Sequence, residues 1–202
     1  MVNKDNATEN NIKFYNEHAA EFLQNTVNAD MSEWRERFEK HLPANGKILD
    51  AGCGSGRDSK AFIQDGFEVK AFDASEEMCR AAAVLAGIDV RKMLFQEVDY
   101  CDEFDGIWAC ASLLHVPYEE LPDVMLRLKQ ALKKDGVAYV SFKYGTEKMT
   151  KGERTFSNFT EETVKPLLEN AGLEVLEYAV SEDVRPDRAG EKWVNVIAGK
   201  KS

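Results

Sequence analysis

The feature that most restricts this chain is the run Asp-Ala-Gly-Cys-Gly-Ser-Gly at residues 50–56, set directly behind an apolar stretch. Lys47, Ile48 and Leu49 read as a short buried strand, because the apolar run is cut off sharply by glycines. The glycines alternate at 52, 54 and 56. Without side chains they let the backbone turn tightly and bring bare N–H groups against a ligand. Residues 58–63, Asp-Ser-Lys-Ala-Phe-Ile, then read as the opening of a helix with Asp58 as its N-cap. A strand, a glycine turn and a helix N-terminus form the nucleotide-binding geometry of doubly wound α/β folds.

The turn also narrows the ligand. A dinucleotide fingerprint needs glycine at its first, third and sixth positions. Counted from Gly52, the sixth position is Arg57, which argues against an NAD-dependent enzyme. Asp50, before the first glycine, would repel a pyrophosphate but suits a cationic ligand carrying an amine and a sulfonium.

Asp50–Gly56 resembles the D/E-x-G-x-G-x-G motif of class I S-adenosylmethionine-dependent methyltransferases. Three further stretches match in order. Residues 69–73 read as a strand ending in Asp73, followed by Ala74-Ser75. Residues 104–109 resemble the family's fourth strand and lead into Cys110-Ala111-Ser112-Leu113-Leu114-His115. Residues 128–136 resemble the helix and turn before its fifth strand. The resemblance spans residues 12–200, and within the class it is nearest to small stand-alone enzymes of the tellurite-resistance and small-molecule type.

This resemblance implies S-adenosylmethionine as cofactor and S-adenosylhomocysteine as product. Asp73 matches the acid that hydrogen-bonds both ribose hydroxyls. Asp50, Gly52, Cys53, Gly54 and Gly56 would form the cofactor turn, with Ala74, Ser75 and Met78 beyond the second strand and Cys110 and Ala111 beyond the fourth. Phe95 and Gln96 fall where the adenine is usually flanked; Glu97 or Asp99 could supply an adenine-binding acid, or the backbone and Phe95 could serve instead. Arg57 either reaches the carboxylate of the cofactor's methionine end or is a surface helix residue. Tyr15 either faces the ligand or belongs to the core.

Methyl transfer from a sulfonium is an in-line displacement and needs a base only when the acceptor arrives protonated. Acceptor-side candidates lie beyond strands four and five, where ligands of such sheets bind. They are His115, Lys143 and Tyr144, with Tyr15 above them. His115 is structural, caps the next helix, touches substrate or acts as general base. Residues 145–158 read as a lid loop, in which Arg154 either pairs with an anionic substrate or is a solvated charge.

The expected fold class is α/β: a Rossmann-like, seven-stranded, mostly parallel sheet with helices on both faces and N-terminal capping helices. The family order 3-2-1-4-5-7-6, with the last-inserted strand antiparallel, is implied by the resemblance. A single domain is expected, with a helical cap over 1–45 and the core over 46–202. The first nine residues read as frayed. Apolar positions 12, 15, 19, 22 and 23 form one helical stripe, and 31–42 a second, before Pro43-Ala44-Asn45-Gly46 breaks the chain. Further helices are expected over 75–87, 118–134 and 160–170, the last with an awkward Pro166. Strands are expected over 88–94, 137–142, 173–180 and 192–198, with a hairpin loop at 181–191.

Composition excludes several classes. The net charge of −10 disfavours nucleic acid as a partner without a concentrated basic face, and the basic stretches are sparse. No stretch approaches the ~20 apolar residues of a membrane span. The polar first eleven residues hold no signal-peptide core, so a cytoplasmic monomer or homodimer acting on a small-molecule methyl acceptor is the expectation. The four cysteines, at 53, 79, 101 and 110, lack disulfide and metal-ligand spacing, so no metal is expected. The remaining alternatives are a non-catalytic S-adenosylmethionine-binding protein and an RNA or protein methyltransferase.

Overall fold

A computed structural model of the chain describes residues 4–146, 148–152 and 154–201. Its main sheet contains β1 (Lys47–Ala51), β2 (Glu68–Asp73), β3 (Val90–Lys92), β4 (Phe104–Ala109), β5 (Leu132–Lys143), β8 (Leu173–Glu182) and β9 (Lys192–Lys200). Two short strands, β6 (Met149–Lys151) and β7 (Arg154–Phe156), form a separate antiparallel hairpin. The main order is β3-β2-β1-β4-β5-β9-β8. The pairs among β1 to β5 are parallel, and β9 runs antiparallel to both β5 and β8. Skipping the small hairpin, this is the order that the resemblance implied.

Successive residues of a strand point to opposite faces, and the core divides accordingly. Ile48 joins Trp34, Phe38, Phe62, Trp108 and Tyr139 on one face, whereas Leu49 joins Phe104, Leu128, Phe142 and Leu168 on the other. The first face is covered by α3 (Ser32–Glu39) and α4 (Arg57–Gln64), the second by α6 (Leu121–Ala131) and α7 (Glu161–Asn170). On the first face Trp108 stacks on Tyr139 with centroids 3.9 Å apart. Each such fully buried side chain contributes about 1.5–3 kcal/mol over an exposed one. The helix α5 (Glu76–Ala86) is capped by the Ser75 hydroxyl, which accepts from Met78 N, and is ended by left-handed Gly87.

Several boundaries differ from expectation. The helix α1 (Lys4–Glu17) takes in most of the stretch read as frayed; residues 1–3 lie outside the described residues. The single stripe over 12–23 is two helices, because His18 leaves helical geometry and stacks on Phe14 before α2 (Ala19–Thr26) begins. The strand expected over 88–94 shrinks to three residues at the sheet edge, with Arg91 and Lys92 exposed; charges of this kind blunt an open edge. The helix expected over 118–134 is shorter, since β5 starts at Leu132 and passes through an irregularity where Asp135 adopts φ 63°. Pro166 stands inside α7 without ending it. The expected lid loop over 145–158 contains the β6–β7 hairpin instead.

Candidate active site

The strand ends place the site. At the exit of β1, Gly52 N and Cys53 N both donate to Phe72 O, at 2.9 and 3.0 Å, which ties the glycine turn to β2. Gly52 has φ 74°, and a Cβ there would lie 2.5 Å from the Ser112 Cβ, so the turn and the β4 exit touch. Ser112 Oγ donates to Ala51 O at 2.7 Å, and Ala111 N donates to Ser141 Oγ at 2.8 Å. The exits of β1, β4 and β5 are thereby locked together around one cavity, as expected for the carboxyl ends of a doubly wound sheet.

Two carboxylates face this cavity, Asp50 buried and Asp73 half-buried. Asp73 accepts from Gly54 N at 2.9 Å and from Ser75 N at 2.8 Å, so two backbone donors fix its plane. Burial nevertheless pushes its carboxyl above the usual range. Asp50 accepts from Ser59 Oγ at 2.5 Å. Burial first, and then the neighbouring Asp58, push it up to about 7. Neither has an ion-pair partner among the described residues, which leaves negative charge stored where a cation would be welcome. A sulfonium and an ammonium match that donor and charge pattern, and Gly54 leaves room beside it, where a Cβ would meet only Phe22, at 3.4 Å or more. The residues present therefore fit S-adenosylmethionine.

The cavity of about 250 Å³ is lined by most of the residues the sequence singled out. Asp50, Gly52, Cys53, Gly54, Arg57, Asp73, Ala74, Ser75 and Met78 line it, as do Phe95, Gln96, Cys110 and Ala111. Tyr15, His115, Lys143 and Arg154 form its other end. Gly56 does not line it; its role is packing, since a Cβ there would meet Ala82 at 2.7 Å. Tyr144 is also outside the lining and half exposed, with its phenol turned to Glu161 rather than to the cavity. Glu97 caps its own turn by accepting from Leu94 N, and Asp99 pairs with Arg91 on the surface, so neither reaches the cavity.

Asp58 is not the helix cap. Gly56, at φ 77°, takes that position, and Asp58, the second residue of α4, is buried within its first turn. It accepts from Arg57 at 2.9 and 2.6 Å and from Trp108 Nε1 at 2.9 Å. Burial pushes its carboxyl up, but Arg57 and Trp108 outweigh burial and hold it below the usual range. Arg57 is thus a half-buried, bidentate partner rather than a surface residue, and it also donates to Thr26 O at 3.3 Å.

At the other end, Tyr15 Oη and His115 Nε2 are 2.8 Å apart, and His115 Nδ1 faces Thr155 O at 3.4 Å. A carbonyl only accepts, so Nδ1 carries the proton and Nε2 accepts from the phenol. Burial pushes His115 down to about 4, and Arg154 and Lys143 add to this. Tyr15 is raised by burial, with Arg154 opposing. Lys143 donates to Glu191 at 2.5 Å. Arg154 lies 4.2 Å from the Phe14 ring centroid, so it is no solvated loop charge.

Sequence reasoning missed three contributors. Asn11, buried in α1, bonds Thr155 N and the carbonyls of His115 and Thr155, which seats the helix on the hairpin. The β8–β9 loop brings Asp183, Arg185 and Arg188 to the cavity. Trp34 adds an aromatic wall. A lone asparagine on a polar helix carries no signal of this role, whereas the alternation Arg154-Thr155-Phe156 was a readable hint of a strand.

Residues 48–136 match the model of the family described as a methyltransferase domain. A Staphylococcus carnosus protein described as an uncharacterized methyltransferase is 29% identical over 119 residues, covering 55% of this chain and 58% of that protein. The chain thus spans little more than half the length of that relative, and 37% of a Bacillus subtilis relative matched at 32% identity. A ubiquinone biosynthesis O-methyltransferase of Rickettsia bellii is 25% identical over 169 residues, 73% of this chain and 68% of that protein. Among solved structures, the Burkholderia thailandensis 1,6-didemethyltoxoflavin-N1-methyltransferase, with bound S-adenosylhomocysteine, superposes with TM-score 0.81 at 22% identity. That alignment covers 97% of this chain and 88% of the other. A TehB-like methyltransferase of Corynebacterium glutamicum gives TM-score 0.65 at 21% identity, covering 96% and 98%.

Proposed function

We propose that this chain, which belongs to the class I S-adenosylmethionine-dependent methyltransferases, moves a methyl group from S-adenosylmethionine to a small-molecule acceptor. The observation that carries this reading is the pair of cavity-facing carboxylates, Asp50 and Asp73, at adjacent strand ends around a glycine turn. When bound, the cofactor supplies an electrophilic methyl group on a sulfonium. The protein's own work is to bind, orient and exclude water.

In this reading Asp73 takes the ribose hydroxyls, held in plane by Gly54 N and Ser75 N. Asp50 favours the cationic methionine end, and Phe95 and Met78 flank the adenine. His115 is a positioning residue. Neutral at pH 7, it accepts the Tyr15 proton and so aims the phenol, and its low basicity makes it a poor general base. Tyr15 is the group that touches the acceptor. Lys143, held by Glu191, contributes charge rather than a proton.

The closure of the cavity by α1, the hairpin and the β8–β9 loop favours a small acceptor over a polymer. Residues 1–45 act as the cap and 46–202 as the core of one domain. Among the described residues no helix is long and apolar enough to cross a membrane, and the cytoplasm is the proposed site of action. The test is release of S-adenosylhomocysteine from labelled S-adenosylmethionine on addition of a small-molecule extract. Acceptor-dependent release supports the reading, and its absence across broad extracts with a cofactor-loaded enzyme opposes it.

A further inference from the structure

The cavity's cations are nearly all answered. Arg57 pairs with Asp58, Lys143 with Glu191, Arg185 with Asp183, and Arg188 with Asp187 and Glu191. Arg154 is the exception among the described residues. No carboxylate of the described residues pairs with it, and its Nε is buried without a hydrogen-bond partner. Its guanidinium is nonetheless held in place, stacked 4.2 Å from the Phe14 centroid, 5.4 Å from the Phe156 centroid and beside the Tyr15 phenol. A donor such as this Nε, shut off from water without a partner, is costly, and a planar fork of donors is matched by a carboxylate. Lys143 and Arg188 both reach Glu191, and Arg188 reaches Asp187 as well, so Arg154 is the cation on this side that no described carboxylate answers. The opposite end holds Asp50 and Asp73. The cavity therefore offers carboxylates without a cation at the turn and a guanidinium without an anion at the hairpin.

We propose that the methyl acceptor is a small organic acid whose carboxylate is received by Arg154, with Phe156 as an apolar wall and Phe14 stacked on the guanidinium to hold it. The inference rests on the methyltransferase reading and adds the acceptor's chemical class. Arg154 is then a specificity residue: it fixes the acid end while Tyr15 faces the reacting end. A cationic cofactor and an anionic acceptor would also attract one another across the cavity.

The test is calorimetry on the protein saturated with S-adenosylhomocysteine, titrated with benzoate, salicylate, 4-hydroxybenzoate, phenylacetate and indole-3-acetate, each beside its neutral amide. At least one acid should bind, its amide at least tenfold more weakly. Arg154→Gln should weaken the acid at least tenfold, and Arg154→Lys should fall between. S-adenosylhomocysteine affinity should stay within twofold in both variants, which also reports that they fold. Equal binding of acid and amide, unchanged binding in Arg154→Gln, or no binding of any acid overturns the inference. A wild type that does not bind S-adenosylhomocysteine overturns the underlying reading and this inference with it.

Discussion

The two ends of the cavity are built from different material. The cofactor end is made by the sheet itself: the exits of β1 and β2 are cross-tied by backbone bonds and that of β4 by the Ser112 hydroxyl, and its charges are wired into networks such as Arg57–Asp58–Trp108. The acceptor end is assembled from peripheral pieces, namely α1, the β6–β7 hairpin and the β8–β9 loop. It is held by side chains that reach across more than a hundred residues of sequence, such as Asn11 to Thr155. Charge differs in the same way: carboxylates without a described cation mark the first end, and the Arg154 guanidinium without a described anion marks the second. A fixed cofactor is served by a rigid end common to the fold, and a variable acceptor by replaceable segments hung on it.

If that division holds, mutations at the two ends should fail differently. The largest effect is expected at Asp58. Asp58→Ala leaves the half-buried Arg57 guanidinium and the buried Trp108 indole N–H without their acceptor and should cost about 3 kcal/mol of stability in denaturant melts. Arg154→Gln should cost no more than about 1 kcal/mol. Similar losses at both sites would erase the contrast.

Next is Asp73→Ala, expected to weaken S-adenosylhomocysteine binding on the order of a hundredfold by calorimetry, as charge-assisted bonds are lost. Unchanged affinity would mean that Asp73 does not hold the ribose.

Asp50 sharpens the comparison through pH. Its carboxyl titrates near 3.9 in the unfolded chain, by the usual value, and near 7 when folded. Between those values the folded state holds the extra proton, so this group makes stability fall as pH rises from about 4 to 7. Asp50→Asn should therefore raise stability of the ligand-free protein at pH 8, by on the order of 1 kcal/mol or more, while weakening S-adenosylmethionine. In the wild type a cationic ligand should bind more tightly as pH rises through 7, with proton release visible in buffers of different ionisation enthalpy. Affinity that is flat from pH 6 to 8 would contradict this role.

The smallest effect is expected from Tyr15→Phe. It should lower turnover about tenfold through one lost hydrogen bond and leave cofactor affinity unchanged. A fall in affinity with unchanged turnover would move Tyr15 to the cofactor end.

Legibility followed the same division. The cofactor end could be read because its signals are local: an apolar run stopped by Asp50 and glycines, a second strand stopped by Asp73, and a helix opened by Ser75 with acids behind it. The strand order came from resemblance, since no local pattern states which strands are neighbours. Asp58 was misread because Asp just after a turn is a common cap; only the fold shows Gly56 taking that place and Trp108 arriving from β4. At the acceptor end, three-residue strands leave little periodicity to detect, and Lys and Glu around Arg154 look like a solvated loop. The role of Asn11 depends on contacts with residues 115 and 155. Tyr144 was placed at the site by its nearness to β5, but strand alternation turns its side chain away from that of Lys143.

The most direct test of the central claim is calorimetric titration of the wild-type protein with S-adenosylmethionine, S-adenosylhomocysteine and NAD at pH 8. Saturable one-to-one binding of the first two, with no heat from NAD, is the expected result. Binding of NAD alone, or of none of the three, would contradict the reading of Asp50, Asp73 and the glycine turn as an S-adenosylmethionine site.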